Sequence, residues 1–147
     1  MVTHVMGRVL EADGRPLPGV LVEIWQCDAH GRYRHPREWG TLTPDAGFQG
    51  YGQTLTDASG AYRFRTIRPV GYPGRTPHIH FKLGTATAEL LTTQMYVAGE
   101  PGNERDGLLN AIRDPDLRRR LLVELYPADM LEPGALAGTF DIILDAG

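Results

Sequence analysis

Cysteine is nearly absent from this 147-residue chain. Cys27 stands alone, so no disulfide can form within the chain and no thiolate cluster can build a structural zinc site. A lone cysteine fits a reducing compartment, and nothing near it in sequence would activate it as a nucleophile, so it reads as a small buried hydrophobe. Lysine is almost missing as well, since Lys82 is the one lysine among 15 basic residues. These face 18 acidic residues, and the formal net charge of -3 excludes a broad nucleic-acid footprint. No apolar run approaches the roughly 18 residues of a membrane span, and Met1 to His4 leads into strand-like sequence without the apolar stretch of a secretion signal. The expected setting is cytoplasmic, with no membrane and no nucleic acid as partner.

What is plentiful is turn sequence. Glycine (18) and proline (11) together make about a fifth of the chain, which argues against a helical bundle and for many short strands. Strands are predicted at Val5–Leu10, Val20–Cys27, Gln53–Thr56, Ala61–Thr66, His78–Leu83, Leu90–Val97 and Gly138–Leu144. Asp57-Ala58-Ser59-Gly60 reads as the turn of a hairpin. Residues 28–50 are polar, irregular and rich in Gly, Pro, His and aromatics, a long excursion of the kind that carries function. Helix is expected only late, at Asp106–Ile112 and, after the Asp114-Pro115 start signal, at Asp116–Leu125. There Leu117, Leu121 and Leu122 would face the core and Arg118-Arg119-Arg120 the solvent. The expected fold is all-β: one β-sandwich domain over 1–147, with long active-site loops and one or two short helices near its end.

The sharpest chemical signal is His78-Ile79-His80 on a predicted strand. Residues two apart share a strand face, so both imidazoles converge on one side, as two ligands of one metal must. A pair of surface histidines would look the same. A zinc or Fe(II) site completed by a carboxylate such as Glu89 is also open, although a carboxylate four or five residues after the pair, the cupin-like spacing, is lacking. Around the pair lies tyrosine instead: Tyr72 in a Pro/Gly turn and Tyr33 in the excursion. A phenolate is a hard anionic ligand that trivalent iron holds deprotonated at neutral pH.

Several spaced motifs carry a resemblance to the intradiol ring-cleavage dioxygenases, the family of the protocatechuate and catechol enzymes. These are Val22-Glu23-Ile24-Trp25-Gln26, Gly31-Arg32-Tyr33-Arg34-His35-Pro36, Thr56 to Phe64, Thr66-Ile67-Arg68-Pro69, Tyr72-Pro73, Arg75 to Phe81 and Thr93-Gln94-Met95-Tyr96. They occur in family order from about Gly7 to Val97, and the likeness resumes at Thr139–Leu144, leaving out the late helical segment. The resemblance implies a non-haem Fe(III) held by Tyr33, Tyr72, His78 and His80, with Tyr72 the tyrosinate that leaves as substrate binds. It implies Arg75 beside the substrate, Gln94 behind the ligands and Trp25 packed near the site, although a strand tryptophan taken by itself reads as core. His35 is either a nearby donor or a surface residue.

The implied reaction cleaves a catechol-type ring between its two hydroxylated carbons with O₂, giving a cis,cis-muconate-type diacid. Charge counting agrees: Fe(III) with two tyrosinates and a hydroxide is neutral, and a catechol binding as a dianion sheds two protons, which the hydroxide and Tyr72 can take. Arg75 is expected to matter to turnover and little to folding. Arg32, Arg34, Arg37 or Lys82 could meet a substrate carboxylate.

The implied partners are a catechol-type small molecule and O₂, with a homo-oligomer left open. This chain departs from the family in a shorter turn between Tyr72 and His78, in Gly74 where many protocatechuate enzymes have Trp, and in lacking the helical N-terminal extension by which catechol enzymes dimerise. A second reading is a transthyretin-like carrier sandwich, which shares the Gly-Arg-Pro-Leu-Pro-Gly turn and the Thr56 to Phe64 pattern but has no use for four convergent ligands.

Overall fold

Period-two burial writes the architecture into the strands. In β1 (Val2–Glu11), Thr3, Val5, Gly7 and Val9 are buried on one face, and in β5 (His78–Gly84), Ile79, Phe81 and Leu83 are completely inaccessible. The computed structural model describes residues 1–26, 50–72 and 74–144. The remaining described strands are β2 (Leu21–Trp25), β3 (Tyr51–Leu55), β4 (Ala61–Ile67), β6 (Glu89–Val97), β7 (Leu122–Val123), β8 (Tyr126–Pro127), β9 (Leu136–Thr139) and β10 (Ile142–Leu144). Between β6 and β7 lie a 3₁₀ turn (Pro101–Glu104), α1 (Gly107–Asn110) and α2 (Pro115–Arg120).

The strands form two mixed sheets. One has the order β3-β2-β5-β6-β7, with β7 parallel to β6 and the other pairs antiparallel. The other is built on β1, which pairs with β4 on one edge and with β9 and then β10, both parallel to it, on the other; β8 extends β9. Val5, Val22, Ile24, Phe81, Met95 and Phe140 belong to the apolar cluster between the sheets. The expected all-β sandwich with short late helices is the observed one. Among the described residues no helix is long and apolar enough to cross a membrane.

Four local expectations change. Residues 53–66 are not a hairpin: β3 pairs with β2 and β4 with β1, so Asp57–Gly60 is a corner between the sheets. The ends of that corner are claimed by different partners, Thr56 by Val20 and Leu17 on one side and Gly60 by the amide of Val9 on the other. The second helix stops at Arg120 rather than Leu125, because Leu121 and Val123 offer their carbonyls to Tyr96 and Ala98 and so extend the sheet. Leu117 is 48% exposed instead of core-facing, whereas Leu121 packs on the core and Leu122 is half-buried. The last predicted strand divides at Phe140, whose side chain enters the core while its amide bonds the carbonyl of Met6.

Candidate metal centre

Because the odd residues of β5 fill the core, His78 and His80 must leave the outer face of that sheet. His78 is nevertheless only 1% exposed. The rings of Tyr72 (5.5 Å between centroids) and Tyr96 (6.1 Å) cover it. Its Nδ1 lies 2.7 Å from the carbonyl oxygen of Thr76. A carbonyl can only accept, so Nδ1 carries the proton and Nε2 presents a lone pair.

That lone pair points at its neighbours. Nε2 of His80 is 3.2 Å from it and the phenol oxygen of Tyr72 is 3.5 Å away. The His80 ring is oriented by Trp25, its register partner on β2, which stacks on it at 5.0 Å and 3°. Trp25 is thus a half-buried wall of this site and not part of the inner core. Burial lowers the pKa of both imidazoles, with Arg75 adding to the effect; His80, which also feels His78, falls to about 4. Both are neutral at pH 7, the form that ligates metals.

Tyr72 is placed by its turn. The sequence Tyr72-Pro73-Gly74-Arg75 closes with Tyr72 and Arg75 exchanging both backbone hydrogen bonds, and Gly74 supplies the φ of +86° that a Pro-Gly turn requires at its third position. Bridge partners share a face, so the phenol and the guanidinium lie side by side. Arg75 donates from Nε to Asp106 (2.8 Å) and from Nη2 to the amide oxygen of Gln94 and the hydroxyl of Tyr96. Its Nη1 has no hydrogen-bond partner among the described residues. Gln94 stands opposite His80 and Tyr96 opposite His78 across the β5–β6 ladder, and the Tyr96 hydroxyl donates to Gln94 (2.8 Å).

The geometry also removes a rival. Glu89 pairs with Gly84 at the far end of the ladder, five residues along β6 from the partner of His80 and so about 17 Å away at the usual strand rise. It faces Lys82 at 3.6 Å in an exposed pair, so Glu89 does not complete a site with the histidines. Among the described residues no group of three or more His, Cys, Asp or Glu gathers. Two imidazoles and a phenol, with the nearby carboxylate of Asp106 committed to Arg75, the Thr76 amide and the start of α1, suit a hard trivalent ion such as Fe(III).

Tyr33, His35, Cys27, Arg32, Arg34 and Arg37 lie outside the described residues. The topology fixes where their segment is attached. It leaves the sheet after Gln26 and returns at Gly50, whose carbonyl accepts from the Gln26 amide at 3.1 Å, beside the Trp25–His80 pair. Sequence reasoning missed Tyr96, Thr76 and Asp106 as site residues. The alternation of β6, which puts Tyr96 on the same face as Gln94, could have found the first. Asp106 was visible only as a helix start.

A family model described as a dioxygenase matches residues 1–146. The protocatechuate 3,4-dioxygenase beta chain of Burkholderia cepacia is 41% identical over 95% of this chain and 63% of its own length. The solved dioxygenase domain of a carbohydrate-binding fusion protein from Streptomyces sp. SirexAA-E is 37% identical, with a TM-score of 0.72 over 99% of this chain and 80% of that one. Catechol 1,2-dioxygenase from Acinetobacter sp. ADP1 superimposes with a TM-score of 0.72 at 28% identity over 98% of this chain and 52% of that one. The chain therefore spans less than two thirds of the length of the first curated relative, and about half of the catechol enzyme. The likeness runs through both sheets and through the late helical segment, and on it the chain belongs to the intradiol ring-cleavage dioxygenases.

Proposed function

We propose that this protein is a non-haem Fe(III) intradiol dioxygenase that opens a catechol-type ring between its two hydroxylated carbons. One O₂ is consumed per ring, both oxygen atoms enter the cis,cis-muconate-type product, and no external reductant is needed. The observation that carries the reading is the convergence of the two Nε2 atoms and the Tyr72 phenol oxygen on one point. Tyr33, Tyr72, His78 and His80 would hold the iron, which would supply the charge that keeps the phenols ionised and activates a bound catecholate toward O₂.

The chain's own residues account for the remainder. Tyr72 Oη is the base that receives a substrate hydroxyl proton, carried on the turn that precedes β5. Arg75, tethered through Nε and Nη2, holds Nη1 ready for negative charge on the substrate, a preorganised donor of the kind that lowers barriers most. The Thr76 carbonyl and the Trp25 face fix the two imidazole planes. Trp25 and Tyr96 also limit water on either side of the histidine pair.

Labelled dioxygen tests the reaction. Iron-loaded protein given catechols under ¹⁸O₂ should release a diacid carrying both labelled atoms. A yellow semialdehyde from cleavage at the adjacent bond, or no oxygen uptake with any catechol, would reject the proposal. The same sample should show a visible tyrosinate charge-transfer band that Tyr33→Phe and Tyr72→Phe each weaken and shift.

A further inference from the structure

The late helical segment lies outside the motifs by which the sequence resembles its family, yet it sends one carboxylate into the site. Asp106 is 1% exposed and accepts four hydrogen bonds. Oδ1 takes the amides of Leu108 and Leu109, both at 3.1 Å, which caps α1. Oδ2 takes Arg75 Nε at 2.8 Å and the Thr76 amide at 3.1 Å. All the acceptor positions of a carboxylate are thereby used. Thr76 is held through its side chain as well, since its hydroxyl donates to Asn103, whose own amide group donates to the Val97 carbonyl.

We infer that Asp106 is a positioning residue for the reaction, fixing the Arg75 guanidinium and the amide of Thr76, the residue whose carbonyl sets the His78 tautomer. The argument is geometric. An arginine held only through Nη2 could still rotate about its terminal bonds, whereas a second anchor at Nε fixes the plane and leaves Nη1 in a single direction. The anchor itself is immobile because its other oxygen caps a helix. One carboxylate thus ties α1 to the arginine and, through the one residue Thr76, to a candidate metal ligand. This inference rests on the function proposed above.

The test needs variants that separate the carboxylate from the cap. Asp106→Ser keeps an N-cap oxygen for α1 and loses the reach to Arg75; Asp106→Asn keeps the size and loses the charge. In metal-free protein labelled with ¹⁵N-arginine, the Arg75 Nε–H should exchange with water at least ten-fold more slowly than that of the exposed Arg119, and Asp106→Ser should abolish the difference. In the iron-loaded enzyme, Asp106→Ser and Asp106→Asn should lower kcat at least ten-fold, with KM within about three-fold and iron content and visible band retained. Arg75→Gln combined with Asp106→Ser should be no slower than Arg75→Gln alone. Asn110→Ala, which removes hydrogen bonds to Asn103 and Asp106 backbone carbonyls without touching Arg75, should stay within two-fold of wild type.

Protection of Arg75 unchanged in Asp106→Ser, turnover within two-fold of wild type in that variant, or losses that multiply in the double variant would each overturn the inference. If the wild-type protein cleaves no catechol, the proposed function fails, and the exchange measurement on metal-free protein still decides whether Asp106 fixes Arg75.

Discussion

Arg75 does two jobs that ordinarily compete. In the proposed reaction its Nη1 edge would meet substrate charge, while its Nε is committed to a carboxylate that is itself fully buried. The Asp106 carboxyl would be pushed up by burial, but the Arg75 guanidinium and the Leu109 and Thr76 amides outweigh this and hold it below the usual range. Arg75→Ala is therefore expected to cost more than turnover, contrary to the reading of a residue with little part in folding. Breaking a buried pair by removing one partner costs about 3 kcal/mol, and losing a preorganised donor lowers kcat by about two to three powers of ten. Chemical denaturation and steady-state kinetics on Arg75→Ala check both. Arg75→Lys, which keeps a charge without the planar fork, should restore part of each. A lysine or alanine variant that is as stable as wild type would show that Asp106 finds another partner.

At the scale of elements, the described glycine with least room for a side chain is Gly7, where β1 passes the junction of β9 and β10. A Cβ there would sit 2.0 Å from the Phe140 carbonyl oxygen and 3.0 Å from the Tyr62 hydroxyl, which donates to that same carbonyl. Gly7→Ala must push the last strand off the sheet, and a loss of about 3 kcal/mol or more is expected in urea unfolding, with the metal ligands untouched. On the outer face of the same sheet, Glu132 joins the loop after β8 to Arg65 of β4 (2.6 and 2.8 Å) and to His4 of β1 (3.3 Å). The hydrogen bonds from Arg65 come first among the causes that lower its pKa, from an ordinary 4.5 to about 2. A depressed carboxylate pKa gives stability that is fully present above 4.5 and lost as pH falls through about 2. Glu132→Gln should accordingly show a flatter decline of stability across that acid window than wild type, measured by thermal melts at a series of pH values.

The strands were legible because alternation and glycine-rich turns mark them locally, and so was the histidine pair, since i and i+2 on a strand can only share a face. Which strands pair was not. The corner at Asp57–Gly60 has hairpin chemistry, and only the claims of β1 and β2 on its two ends divide it between sheets. Asp106 was unreadable as a site residue for a related reason: an N-cap aspartate satisfies a local rule completely, so nothing in sequence betrays its second oxygen.

For the molecule as a whole, the candidate metal centre and the apolar core lie on opposite faces of one strand. Ile79, Phe81 and Leu83 hold the two sheets together, and His78 and His80 turn away from them. Removal of iron should thus abolish the visible band and activity while leaving the β-sheet circular dichroism and a cooperative unfolding transition, with a lower midpoint from the lost ligand bonds. A chelated protein that loses its sheet signal would mean that the metal, and not the sandwich, organises the fold.

The closed base of the segment between Gln26 and Gly50 carries a further consequence. Five register pairs from Leu21–Leu55 to Trp25–Tyr51 clamp its two stems before it begins, and doubling the length of a closed loop costs only about 0.6 kcal/mol. Lengthening or shortening the segment therefore costs little in chain closure. A longer or shorter segment here would leave the β2–β3 register, and with it the pairing of Trp25 with His80, as they are.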